Sequence, residues 1–144
     1  MIKIICVGKI KESYLRDAIS DYQKRINKYH KFEIIEVNDS NMKDEAIKIL
    51  HYVKDNDYVV TLEIDGDMLS STEFANKIDK LFITNSNITF IIGGSLGLNE
   101  FITDTCDELI SFSTMTFPHG LFRGILLEQI YRACKINNNE SYHK

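Results

Sequence analysis

Residues 88–98 read Ile88-Thr89-Phe90-Ile91-Ile92-Gly93-Gly94-Ser95-Leu96-Gly97-Leu98, an apolar run that stops at paired glycines. An apolar segment of strand length, with no polar alternation, is the signature of a strand covered on both faces. Glycines directly after it mark a turn. The same construction opens the chain, where Met1 to Val7 carries Ile2, Ile4 and Ile5 and closes on Gly8. Elsewhere the apolar period changes: Tyr14, Leu15, Ala18, Ile19, Tyr22 and Ile26 share one helical face within residues 12–30. Further strands are expected at Phe32 to Val37 and Tyr58 to Ile64, with helices at Met42 to Val53 and Thr72 to Phe82. After the glycines come a helix near 98–107, a short strand at Leu109 to Phe112 and a terminal helix from Pro118 to Ile136. Such alternation predicts an α/β fold, a mostly parallel sheet with helices on both faces. No repeat, low-complexity tract or linker divides the chain, so residues 1–144 read as a single domain.

With 144 residues and 44% hydrophobic side chains, the chain can bury about 68–70% of its unfolded surface without metal or disulfide staples. No apolar run reaches the roughly 18–20 residues of a membrane span, and Lys9 and Lys11 interrupt the opening strand too soon for a signal peptide. The protein therefore reads as soluble and cytoplasmic. Cys6, Cys106 and Cys134 are odd in number and widely spaced, so they form neither a disulfide framework nor a metal site and read as buried thiols. The net charge of -4 excludes a protein that coats nucleic acid non-specifically, but it conceals an asymmetry. Residues 1–31 hold eight Lys or Arg against three acids, residues 32–112 five against sixteen, and residues 113–144 four against two. If the fold joins the two basic ends, a local face could engage phosphates. The plainer alternative is that Lys24, Arg25, Lys28 and Lys31 solvate an amphipathic helix.

Open parallel sheets bind ligands beyond the carboxyl ends of their strands. This singles out the loops Gly8 to Lys11, Asp65 to Ser71, Gly93 to Asn99 and Ser113 to His119. The glycine loop admits three readings. It could lay backbone N–H groups against a nucleotide or cofactor, although it lacks the Lys and spacing of a phosphate-binding loop. Gly93-x-Ser95-x-Gly97 also matches a nucleophile elbow, with Asp104 and Asp107 on the next helix and His119 as the only well-placed His. Finally, it could simply close a strand. Phe112-Ser113-Thr114-Met115-Thr116-Phe117-Pro118-His119 interleaves hydroxyls with apolar groups before the single Pro, at a favoured first-turn position. Such a ribbon can bond a purine edge through its backbone and enclose the ring. Glu128 and Arg132 form an i, i+4 pair that reads as modest helix support, and the polar terminus ends in Tyr142-His143-Lys144.

Together, Phe90 to Leu98, Ser111 to His119, Arg123, Leu127-Glu128-Gln129-Ile130-Tyr131-Arg132-Ala133 and Tyr142-His143-Lys144 resemble the ribosomal RNA large subunit methyltransferase H family. Ile4 to Lys9 and Val60 to Ile64 match as well, so the resemblance spans nearly the whole chain in order. It implies a SPOUT-class α/β fold with a trefoil knot near the carboxyl end, working as a homodimer. It further implies an enzyme that uses S-adenosylmethionine to methylate N3 of a pseudouridine in 23S ribosomal RNA, with the ribosome as partner. The cofactor contacts would fall on Leu62, Gly93, Phe112, Ser113, Thr114, Met115, Thr116 and Phe117. One departure from the family pattern is a shorter stretch between the second strand and Tyr58, which holds the second helix. For the chemistry, His119 and His143 are candidates for assisting proton loss, Tyr142 for stacking or hydrogen bonding, and Arg123 for holding a phosphate or a uracil-like edge. The rival from a different class is a non-catalytic ribosome-associated module that binds an adenosyl ligand.

Overall fold

The computed structural model describes residues 1–144. The chain runs β1 (Ile2–Val7), α1 (Ser13–Ile26), β2 (Phe32–Val37), α2 (Met42–His51), β3 (Asp57–Met68), α3 (Ser71–Thr84), β4 (Asn87–Ile92), α4 (Glu100–Thr105), β5 (Glu108–Ser111) and α5 (His119–Asn137). The strands form one five-stranded sheet in the order β2-β1-β4-β3-β5. Every pairing is parallel. No helix is long and apolar enough to cross a membrane.

Strand periodicity divides the core between the two faces. Ile2, Ile4 and Cys6 of β1 point into a cluster of 20 buried residues with α1, α3 and α5, whereas Ile5 and Val7 join a cluster of 8 with α2 and α4. On the thinner face lies a buried ion pair. Lys3 Nζ donates to Asp57 Oδ2 at 2.8 Å and to the Tyr52 carbonyl at 2.6 Å, and Thr89 Oγ1 donates to the same carboxylate oxygen at 3.1 Å. Burial by itself raises the Asp57 pKa, but the hydrogen bonds from Lys3, the Lys54 N–H and Thr89, with the Lys3 charge, hold it below its ordinary value.

Three sequence expectations need correction. The loop expected at Asp65 to Ser71 is strand as far as Met68, because β3 pairs with β5 twice. Leu62 and Asp67 both stand opposite Ile110, so residues 63–66 are looped out of the ladder, and an added Cβ on Gly66 would come within 2.7 Å of the Ile110 backbone. The helix expected near 98–107 covers only Glu100–Thr105, because Asn99 caps it by accepting the Phe101 N–H at 2.8 Å. Asp107 lies outside that helix and accepts the Val59 N–H at 2.7 Å. Lastly, Pro118 is the N-cap of α5, not its first helical residue, and its carbonyl accepts the Phe122 N–H at 2.9 Å.

Candidate active site

The loops at the carboxyl ends of β4, β3 and β5 converge. The glycine segment closes as a tight turn in which the Gly97 N–H donates to the Gly94 carbonyl at 3.0 Å and Gly97 adopts φ +81°. A Cβ on Gly93 would lie 2.7 Å from the Gly97 carbonyl carbon and oxygen, so only glycine allows this close approach. After β5, the Ser111 hydroxyl donates to the Ser113 carbonyl at 3.0 Å and the Ser113 hydroxyl accepts the Met115 N–H at 2.9 Å. These local bonds turn the ribbon back toward the glycine turn. Phe112 meets Phe122 edge to face at 5.3 Å and Phe74 at 5.8 Å, and Phe117 stacks on Phe122 at 6.1 Å.

Between these pieces lies a cleft of about 380 Å³, lined by the 62–64 segment of β3, the whole glycine turn, and Phe112, Ser113, Met115, Thr116 and Phe117. That volume suits a nucleoside-sized ligand, and the lining is mostly apolar with a few convergent polar groups. Leu62, Gly93 and these five ribbon residues are thus gathered at one site, while Thr114 is exposed and outside the lining. Met115 is 74% exposed at the rim. Glu63, which sequence reasoning passed over, also lines the cleft, and its Oε1 is buried without a hydrogen-bond partner. Its neighbour Leu62 was the only available hint.

A second cleft, of about 410 Å³ and more polar, adjoins the first and shares Ser95, Leu96 and His119 with it. Its other walls include Lys9, Lys11, Asp39, Ser40 and Arg123. His119, the first residue of α5, therefore stands where the two clefts meet. Arg123 is only 3% exposed: it donates to Glu36 Oε2 at 2.6 Å and to the Gly8 carbonyl at 3.1 Å, while its Nε is buried without a partner. Its guanidinium thereby ties the first turn of α5 to the carboxyl ends of β1 and β2. No hydrogen bond joins Ser95 to His119, and Asp107 is engaged at Val59, so the nucleophile-elbow geometry is absent.

Tyr142 and His143 lie elsewhere. The Tyr142 hydroxyl donates to Glu128 Oε1 at 3.0 Å, its ring meets Tyr131 at 5.0 Å, and the Arg132 guanidinium sits 4.7 Å from its centroid. Arg132 bonds Glu128 through Nε and one terminal nitrogen and reaches His143 Nδ1 at 3.1 Å through the other. The pair expected to support only the helix is the anchor of the tail. The tail thus folds back onto the middle of α5, where Glu128 lies nine residues, about 13 Å along the axis, beyond His119, and neither Tyr142 nor His143 lines either cleft.

Comparison with known proteins agrees with this architecture. The family model described as "Predicted SPOUT methyltransferase" matches residues 1–143. The chain is 50% identical over 157 residues to the ribosomal RNA large subunit methyltransferase H of Clostridium botulinum (strain Alaska E43 / Type E3), covering 99% of each chain. It is likewise 50% identical, with the same coverage, to the protein of that name from Clostridioides difficile (strain 630). The aligned length of 157 exceeds the 144 residues of this chain, so these relatives carry residues that it lacks. In fold it is similar to a solved structure described as a probable methylase family protein from Haemophilus influenzae Rd KW20, with TM-score 0.59 and 12% identity over 99% of this chain and 70% of that one. The chain belongs to the SPOUT methyltransferase family.

Proposed function

We propose that this protein uses S-adenosylmethionine to methylate N3 of a pseudouridine in 23S ribosomal RNA, and that it acts as a homodimer on the ribosome. The observation that carries the reading is the single cleft formed by the Gly93 turn and the Phe112 to Phe117 ribbon. Its contents fit the methyl donor: aromatic side chains to flank a purine and the unpaired carboxylate of Glu63 for a cationic ligand. Leu62, Gly93 and residues 112–117 would hold the donor, which supplies an electrophilic methyl group. The adjoining polar cleft is then the place for the target base, with His119 at the boundary to orient it and to assist departure of its N3 proton. Arg123 acts as a positioning residue, since its ion pair with Glu36 fixes the helix that carries His119.

What supports a homodimer is that the tail, docked on the middle of α5, lines neither cleft of its own chain and is free to serve the cleft of another copy. The helix offers a face for that copy. Leu121 is 44% exposed, and a Cβ added to Gly124 would find no heavy atom within 4 Å. The basic ends do meet, because α1 packs beside α5. Arg25 is paired with Asp21 at 2.9 Å and Lys135 with Glu140 at 3.0 Å, which leaves exposed Lys24, Lys28 and Lys31 for phosphates.

The test is calorimetry with S-adenosylmethionine followed by tritiated methyl transfer to purified subunits and to intact ribosomes. Binding with transfer is the expected result. Binding without transfer to either substrate would favour the adenosyl-binding module, and absence of both would sink the assignment.

A further inference from the structure

Glu63 is the only acidic side chain lining the donor cleft. It stands there because the β3–β5 ladder breaks after Leu62 and residues 63–66 are looped out before pairing resumes at Asp67. Bulges of this kind re-aim side chains beside functional sites. The carboxylate makes no hydrogen bond or ion pair within the protein, and its Oε1 is buried. Asp57, the comparable carboxylate under the sheet, instead collects Lys3, the Lys54 N–H and Thr89 on one oxygen. Burial, with Asp65 adding to it, pushes the Glu63 carboxyl above its ordinary range. Asp57 Oδ1 is also buried without a partner, but only Glu63 lacks a donor on both oxygens and lines a cleft, where a ligand can supply one.

We propose that Glu63 is the recognition group for the ammonium of the methyl donor's amino-acid end. The proposal rests on the methyl-donor reading above and deepens it. The unpaired carboxylate in the cleft wall calls for an N–H or O–H donor, which a sulfonium centre does not have. Of the remaining groups, only the ammonium brings charge as well as hydrogen, and charge-assisted bonds are roughly twice as strong as neutral ones. The ribose hydroxyls carry no charge and have Ser95, Ser113 and Thr116 of the same cleft as neutral partners, so they are the weaker match for the carboxylate. The purine is left to the backbone and rings of the Phe112 to Phe117 ribbon.

Titration calorimetry of wild type and Glu63→Gln with three probes tests this. The probes are S-adenosylmethionine, S-adenosylhomocysteine, which keeps the ammonium but has no sulfonium charge, and 5′-methylthioadenosine, which has neither. The substitution should weaken the first two by roughly ten- to hundredfold and the third by less than about twofold. Equal loss for all three would overturn the assignment in favour of the ribose or of general damage. Loss confined to S-adenosylmethionine would overturn it in favour of the sulfonium. Failure of all three to bind wild type would instead sink the methyl-donor reading itself. Glu63→Gln should melt no lower than wild type, because it removes a buried charge that nothing neutralises, and a clear fall in Tm would mark a structural role and overturn the proposal.

Discussion

The start and the middle of α5 are built in different ways. At the His119 end the site is shaped by backbone: a glycine turn that tolerates no Cβ at Gly93, a ribbon bent by serine hydroxyls, and phenylalanine rings that fill behind it. Along the middle of the helix the tail is held by side chains, with Glu128 accepting from Tyr142 and Arg132, and Arg132 reaching on to His143. The difference teaches a division of labour. A backbone-built cleft is rigid and suits a ligand that must be held in one pose. A short tail tethered by a few partly buried polar contacts can exchange those partners for others at modest cost, since such contacts are individually worth about 1 kcal/mol.

The comparison breaks most visibly if the tail is removed. Deleting Tyr142 to Lys144 should leave donor affinity unchanged by calorimetry while methyl transfer to ribosomes falls by roughly two to three orders of magnitude. Unchanged transfer would end the tail's role. At the start of the helix, Gly93→Ala forces the turn open against the Gly97 carbonyl. Donor affinity should drop roughly ten- to hundredfold and thermal stability should fall by about 1–3 kcal/mol, with the tail contacts unaffected. An intermediate effect is expected for Arg123→Leu. Glu36 keeps partial access to water, so the loss of the pair and of the bond to the Gly8 carbonyl should cost about 1–3 kcal/mol in urea denaturation. The variant should slow transfer without weakening donor binding.

The smallest effect on donor binding lies away from both regions and serves as their control, although Lys3→Met, which strands the buried Asp57 carboxylate, lowers overall stability. Because Asp57 has a folded pKa below its unfolded value, the stability it contributes is present above about pH 4 and is lost as the pH falls through the folded pKa. Lys3→Met should flatten that part of the pH–stability curve, measured by urea titration between about pH 3 and pH 5, and leave donor affinity at neutral pH unaltered.

Much of this architecture was legible before any coordinates. The apolar runs at β1 and β4 mark strands buried on both faces, and the edge strand β2 begins and ends where its residues say it should, at Phe32 and Val37. The cleft loops were legible for the same reason, since parallel strands deliver their carboxyl ends to one edge of the sheet. The far end of β3 was not. Asp65, Gly66 and Asp67 have turn composition, and only pairing with β5, whose backbone Gly66 touches, makes them a strand with a bulge.

Chain order, strand and helix identity and the glycine that must stay a glycine were therefore determined by the sequence alone, because each depends on neighbours within a few residues. The tertiary structure decided the partners of the charged groups. Arg123 and Glu36 are 87 residues apart, and so are adjacent only because α5 returns across β1 and β2. The solitary carboxylate of Glu63 and the tail's anchorage at Glu128 are likewise properties of distant segments brought together. Local periodicity cannot report them, since burial and charge pairing are fixed only when the sheet closes.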